Sequence, residues 1–151
     1  MPTLSTPTLT LGNTVSNKRD VTVAGNITFD AGDVGKTYRL EIKLYGDDDS
    51  NDALPSGDGV ADDVIYTYNW SGLFLPKAYK SITVAAAGNF NYSELRKVDV
   101  SKLDEDPGNV THEVGGVLVQ MPRKDEVYAS VTVTGVPVNK KSAVVTAGIG
   151  V

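Results

Sequence analysis

The chain contains no cysteine. Disulfides, thiolate nucleophiles and sulfur-ligated zinc or iron–sulfur sites are therefore excluded. It contains one histidine, His112, beside Glu113 and just before Gly115-Gly116. A zinc site would have to combine that imidazole with carboxylates alone, an unusual donor set. A histidine-based triad needs a nucleophile signature such as G-x-S-x-G, and none occurs. His112 is expected at an exposed or edge-strand position. No window approaches the roughly 18 apolar residues of a membrane-spanning helix. The opening segment, MPTLSTPTLTLGN, has neither a basic region nor a long apolar run, so no secretory signal is expected.

Clustered positive charge is also lacking. The basic residues are scattered, often in pairs such as Lys18-Arg19, Arg123-Lys124 and Lys140-Lys141, and the formal net charge is −5. A chain with this balance is not expected to follow a phosphate backbone. The balance suits a soluble protein, or one that attracts divalent cations.

What the sequence does have is alternation with period two, the strand period. Val21, Val23, Gly25, Ile27 and Phe29 share one parity. Tyr38, Leu40, Ile42 and Leu44 form a second inward row, opposed by Thr37, Arg39, Glu41, Lys43 and Tyr45. One apolar and one charged face is the mark of an antiparallel strand solvated on one side. Val64, Tyr66, Tyr68 and Trp70 give a further row, as do Ile82 with Val84, Phe90 with Tyr92, and Val127, Ala129, Val131 and Val133. The tail from Ser142 to Val151 is expected to add a last strand.

Turn residues punctuate these runs at Gly12-Asn13, Gly25-Asn26, Gly32 to Gly35, Gly88-Asn89, Asp106-Pro107-Gly108 and Gly115-Gly116. Helical spacing is scarce. Ser93 to Asp104 is the one contender, and it reads as a strand followed by a short helical turn near Leu103. With 151 residues and no linker or repeat, the chain is expected to form one domain over 1–151. The expected class is all-β, an antiparallel two-sheet β-sandwich. An immunoglobulin-like or Greek-key topology is the first expectation and a jelly roll the second.

The most distinctive segment chemically is the run from Gly46 to Asp63. It carries Asp47, Asp48, Asp49, Asp52, Asp58, Asp62 and Asp63, seven of the nineteen acids of the chain. Like charges packed this closely repel unless extended in solvent or bridged by cations. Calcium takes six to eight oxygens from carboxylates, amides and backbone carbonyls on such loops. Asp47, Asp49 and Asn51 have the 1,3,5 spacing of an EF-hand. Asp52, however, occupies the position that needs glycine, position twelve is Asp58, and no helices flank the loop. The looser expectation is a calcium site formed by Asp47, Asp49, Asn51, Asp58, Asp62 and Asp63. In general arrangement it resembles the sandwich-end calcium loops of C2-like and cadherin-like modules. The competing reading is a solubilising connection in which Pro55, Ser56, Gly57 and Gly59 discourage pairing. Asp99, Asp104, Glu105 and Asp106 form a second acidic group that reads as a charged turn.

Glu41, Glu94, Glu113 and Glu126 are isolated from one another in sequence, so no carboxylate pair for glycoside cleavage is indicated. Tyr66, Tyr68 and Trp70 form either a core row or a flat platform for a sugar ring. Leu73, Phe74 and Leu75, three adjacent apolar residues in a loop, suggest a plug under a sheet edge or a partner contact. The four N-x-S/T sequons, at Asn26, Asn69, Asn91 and Asn109, read as chance.

The expected function is non-enzymatic, a structural module such as a virion decoration, tail or fibre component, or a surface-assembly subunit. Its expected partner is another protein or itself, with carbohydrate as a further option. Virion or extracellular assembly is favoured over a cytoplasmic enzyme role. The alternative is a calcium-dependent binding module that uses the 47–63 loop.

Overall fold

The computed structural model describes residues 1–46, 63–104, 109–122, 125–135 and 138–148. In chain order these form β1 (Thr3–Leu4), β2 (Thr8–Val15), β3 (Lys18–Phe29), a 3-10 turn (Ala31–Asp33), β4 (Thr37–Gly46), β5 (Val64–Thr67), β6 (Lys80–Thr83) and β7 (Gly88–Asp99). They continue with α1 (Val100–Leu103), β8 (Asn109–Val114), β9 (Val117–Pro122), β10 (Asp125–Thr134), β11 (Val138–Lys141) and β12 (Val145–Ala147). The chain is all-β, with several antiparallel sheets. Among the described residues no helix is long and apolar enough to cross a membrane.

β3 is the centre of the first sheet. β7 pairs with it along its whole length, from Lys18↔Asp99 to Phe29↔Gly88, so Gly25-Asn26 is strand opposite Tyr92 and Asn91 and not the expected turn. Its other edge is shared in succession by β1, through Leu4↔Ile27, and β2, through Leu9↔Val23. In the second sheet β4 and β10 are the inner pair, in register from Val127↔Gly46 to Thr134↔Arg39. β5 and β6 share the outer edge of β4, while β11 and β12 share that of β10.

The inward rows expected from alternation form the core. Val21, Val23 and Ile27 of the first sheet and Leu40, Ile42, Leu44, Val127, Ala129, Val131 and Val133 of the second belong to one buried cluster. Each large side chain so buried contributes about 1.5–3 kcal/mol by leaving water. The reading of Ser93 to Asp104 holds as well: β7 runs to Asp99, and the single helical turn α1 buries Leu103.

Three local features depart from simple alternation. First, Tyr66 pairs with Leu44, but Val64 pairs with Tyr45, so Ile65 is an extra residue on β5. Such a bulge reverses the parity beyond it, which is why Val64 is exposed while Ile65 packs on the core. Second, the outer face of the second sheet is not wholly solvated. Tyr45 and Tyr128 stack with centroids 5.4 Å apart, and the Lys141 ammonium lies 5.1 Å from the Tyr128 ring. Third, the C-terminal edge is two strands, β11 and β12, and the first begins before the expected Ser142. Ser142 marks the interruption: the Ala129 N–H donates to its Oγ at 2.7 Å, and its own N–H donates to the Ala129 carbonyl.

Asp33 is buried, which alternation did not foreshadow. Its carboxylate accepts the Tyr38 hydroxyl at 2.6 Å and the Asp30 N–H at 2.9 Å, while Asp30 accepts the Gly32 N–H. This reciprocal cap fastens the 3-10 turn. The Tyr38 hydrogen bond, ahead of the smaller effects, holds the Asp33 carboxyl below its ordinary value, and the same bond pushes Tyr38 up to about 12. A carboxyl lowered in the native state stabilises fully above its unfolded pKa, and that contribution is lost as pH falls through the native value. Thermal melts of wild type and Asp33→Asn should therefore differ at neutral pH and converge in strong acid. A gap that stays constant below about pH 3 would show that ionisation of Asp33 is not the source.

Candidate functional site

The acidic segment begins and ends in the second sheet. The Gly46 N–H donates to the Asp63 carbonyl at 3.1 Å, and Tyr45 pairs with Val64, so its two ends are held side by side. Of the expected calcium ligands, Asp47, Asp49, Asn51, Asp58 and Asp62 lie outside the described residues. Asp63 is described and exposed. Among the described residues no group of three or more His, Asp or Glu side chains is gathered for a metal. In the second acidic group Asp99 pairs with Lys18 at 3.7 Å, and the Asp104 N–H donates to the Val100 carbonyl. Glu105 and Asp106 lie outside the described residues.

The aromatic row is used for packing. Tyr68 is fully buried, with Tyr66 edge-on to it at 5.5 Å and Trp70 tilted at 6.4 Å. The Arg96 guanidinium lies 5.2 Å from the Tyr68 ring and 5.3 Å from the Trp70 ring. The indole N–H donates to Glu94 at 3.4 Å, and Glu94 also accepts Lys80 at 2.7 Å. These bonds tie the segment after β5 to β7.

The same bonds fasten the base of an unusual loop. Trp70 and Lys77 exchange two backbone hydrogen bonds, of 2.8 and 2.7 Å, which close the segment 71–76. Leu73, Phe74 and Leu75 in that segment are 87%, 90% and 76% exposed. The loop is therefore not a plug under a sheet edge, and a partner contact is the expectation that remains. Around its base, Arg39 and Lys77 flank the Tyr79 ring at 4.4 and 5.7 Å, with Lys80 and Arg96 beyond.

The second exposed apolar feature is the ribbon of β8 and β9. Gly115 and Gly116, at φ +59° and +80°, make the two-residue turn whose left-handed residues match the twist of a hairpin. Cross-strand partners share a face, so the pairs His112↔Val119 and Val114↔Val117, together with Met121, lie on one side. Thr111, Glu113, Leu118 and Gln120 lie on the other. Val114, Val117, Leu118 and Met121 are all exposed, Leu118 to 73%. Among the described residues β8 and β9 pair only with each other. A two-stranded ribbon with no third strand is marginal in water, and this one leaves an apolar face uncovered.

Sequence reasoning found the Gly115-Gly116 turn and the exposure of His112 but not the strands on either side. The available signal was Val-Gly-Gly-Val: two glycines flanked by β-branched residues, with alternation continuing to Met121.

No protein-family model matches the chain, and neither a curated protein nor a solved structure was found to match it.

Proposed function

We propose that this chain is a non-enzymatic assembly module on an immunoglobulin-like β-sandwich, of the kind that serves as a virion or surface-assembly component. The topology is supported by strand order. Taking the paired edge segments as single strands, the sheets read β1/β2–β3–β7 and β5/β6–β4–β10–β11/β12, a three-plus-four division of the immunoglobulin type. The assembly role rests chiefly on the uncovered apolar ribbon β8–β9. A monomer gains nothing from exposing it, whereas a partner gains both apolar burial and two open strand edges. The terminal segments Leu4 to Leu11 and Ala143 to Val151, apolar and rich in Thr and Val, could also add strands to a neighbour's sheet. Since β1, β2, β11 and β12 are already paired within the chain, such addition would use their outer edges.

If the ribbon exists for a partner, the fold does not need it. Replacing residues 109–122 by a short Gly-Ser linker should leave the melting temperature within about 3 °C of wild type, the shift expected for about 1 kcal/mol in a chain of this size. A collapse of the melt on that replacement would sink the assembly reading by making the ribbon part of the fold.

A calcium-dependent module is the second reading, favoured by the Gly46–Asp63 hydrogen bond that brings the ends of the acidic segment together. A cation that binds only the folded chain stabilises it. Millimolar calcium should then raise the melting temperature of wild type but not of the triple variant Asp47→Asn, Asp49→Asn, Asp62→Asn. No rise in wild type removes this reading.

A further inference from the structure

We infer that the partner of the β8–β9 ribbon is a second copy of this chain, and that the ribbon of one copy docks on the Leu73–Leu75 loop of the next. The inference rests on the assembly reading above and adds the identity of the partner and the form of the contact.

The two apolar features lie on different aspects of the molecule. β3 starts at Lys18 and β7 ends at Asp99, paired with each other, while β4 ends at Gly46 beside the start of β10. The Val100 N–H donates to the Asn17 carbonyl, and the Lys102 ammonium lies 5.6 Å from the Tyr66 ring of β5, so these strand ends form one end of the body. The ribbon leaves from that end, between α1 and β10. The 71–76 loop sits on the flank, fastened to Glu94 and Arg96 midway along β7 and beside the Lys80↔Leu40 pair. An end of one copy meeting the flank of another is a heterologous contact, which propagates as a ring or an open chain.

Charge favours this pairing, and the area available sets its strength. The flank around the loop carries Arg39, Lys77, Lys80 and Arg96. Glu94 offsets one of these four, leaving +3. The described charges at the ribbon end, Lys18 and Lys102 against Asp63, Asp99, Asp104 and Glu113, leave −2, with Glu113 on the ribbon face opposite Val114 and Val117. A six-residue ribbon is about 20 Å long and about 10 Å wide, so one face offers about 200 Å2. That is well below the ~800 Å2 per partner of a standard interface. A foreign partner covering the ribbon would leave Leu73, Phe74 and Leu75 in water. Self-association covers both features with one kind of contact, repeated twice per copy, and it is expected to be weak singly.

Sedimentation of the full-length chain and two surface variants tests this. Wild type should gain average mass between about 10 µM and about 1 mM, less so at high salt. Phe74→Ser and Val117→Lys, each melting as wild type does, should stay monomeric alone over that range. Mixed in equal amounts they should form two-chain species and nothing larger, because one keeps its ribbon and the other keeps its loop. A variant that still self-associates alone would overturn the ribbon-to-loop contact in favour of like meeting like, and variants that each stay monomeric yet fail to pair on mixing would overturn it as well. A wild type that stays monomeric throughout would overturn the second copy as partner. The assembly reading would still stand or fall on the linker replacement.

Discussion

Replacing Tyr68 by alanine should lower the unfolding free energy by about 3–5 kcal/mol, the range for removing a large buried aromatic. Against a total of about 5–15 kcal/mol for a domain, that is a large share. Three contacts underlie the size of the effect. The ring is fully buried between Tyr66 and Trp70. Its hydroxyl donates to the Val21 carbonyl at 2.9 Å, which joins the segment after β5 to β3 of the other sheet. Its backbone N–H donates to the Ile42 carbonyl. Burial raises the hydroxyl pKa well above the ordinary tyrosine value, as expected of a phenol with little access to water. Tyr68→Phe separates the parts. It keeps the packing and loses one hydrogen bond, so it should cost about 1–2 kcal/mol. Urea unfolding at unchanged slope reads both numbers. If alanine cost no more than phenylalanine, burial of the Tyr68 ring would not be the source of the effect.

The second large effect is expected at Gly135, directly after β10. Its φ of +154° is a backbone conformation that L side chains rarely adopt, and a Cβ there would lie 2.3 Å from Cδ1 and 2.4 Å from Cε1 of Tyr38. The ring has little freedom to retreat. Its hydroxyl is held by Asp33 and its face packs against Phe29 at 5.4 Å. Gly135→Ala should therefore combine backbone strain of about 1–3 kcal/mol with overpacking of similar size. The expected loss is about 2–5 kcal/mol, or a drop in melting temperature on the order of 10 °C. Pairing it with Tyr38→Leu tests the cause: if the clash dominates, the two losses should be clearly less than additive. Full additivity would assign the cost to the backbone alone.

Much of this fold is legible in the sequence because its inner strands follow a simple rule. β4 alternates Tyr38, Leu40, Ile42 and Leu44 against charged neighbours, and β10 does the same with Val127, Ala129, Val131 and Val133. Both rows are core. Alternation fails where the backbone departs from ideal pairing. The extra residue Ile65 reverses the parity of β5, and nothing in the composition of that segment announces it. Asp33 was illegible for a different reason: an acid in a Gly-rich stretch looks solvated until a tyrosine five residues on turns back to it. The ribbon β8–β9 was obscured by its surroundings. Its apolar residues alternate as a strand should, but the only core-like rows sought were those that could be buried. The acidic segment was conspicuous by charge, whereas Leu73–Leu75 and Val114–Met121 show their character only through exposure.

The subdivision of the edge strands bears on how such a chain resists growth into fibrils. A long open strand edge is a template on which another chain can grow as a fibril. Here β1 is parted from β2 around Pro7, β5 from β6 by the 71–76 loop, and β11 from β12 at Ser142. Each of these edges offers short, offset runs of free amides and carbonyls, too broken to template continuous growth. Within the two larger sheets β7 is the exception, twelve residues without a break, and its middle is tied to Asn69 and Trp70 by Arg96 and Glu94. Aggregation through the larger sheets, where it occurs, should therefore start from chains in which that tie has opened.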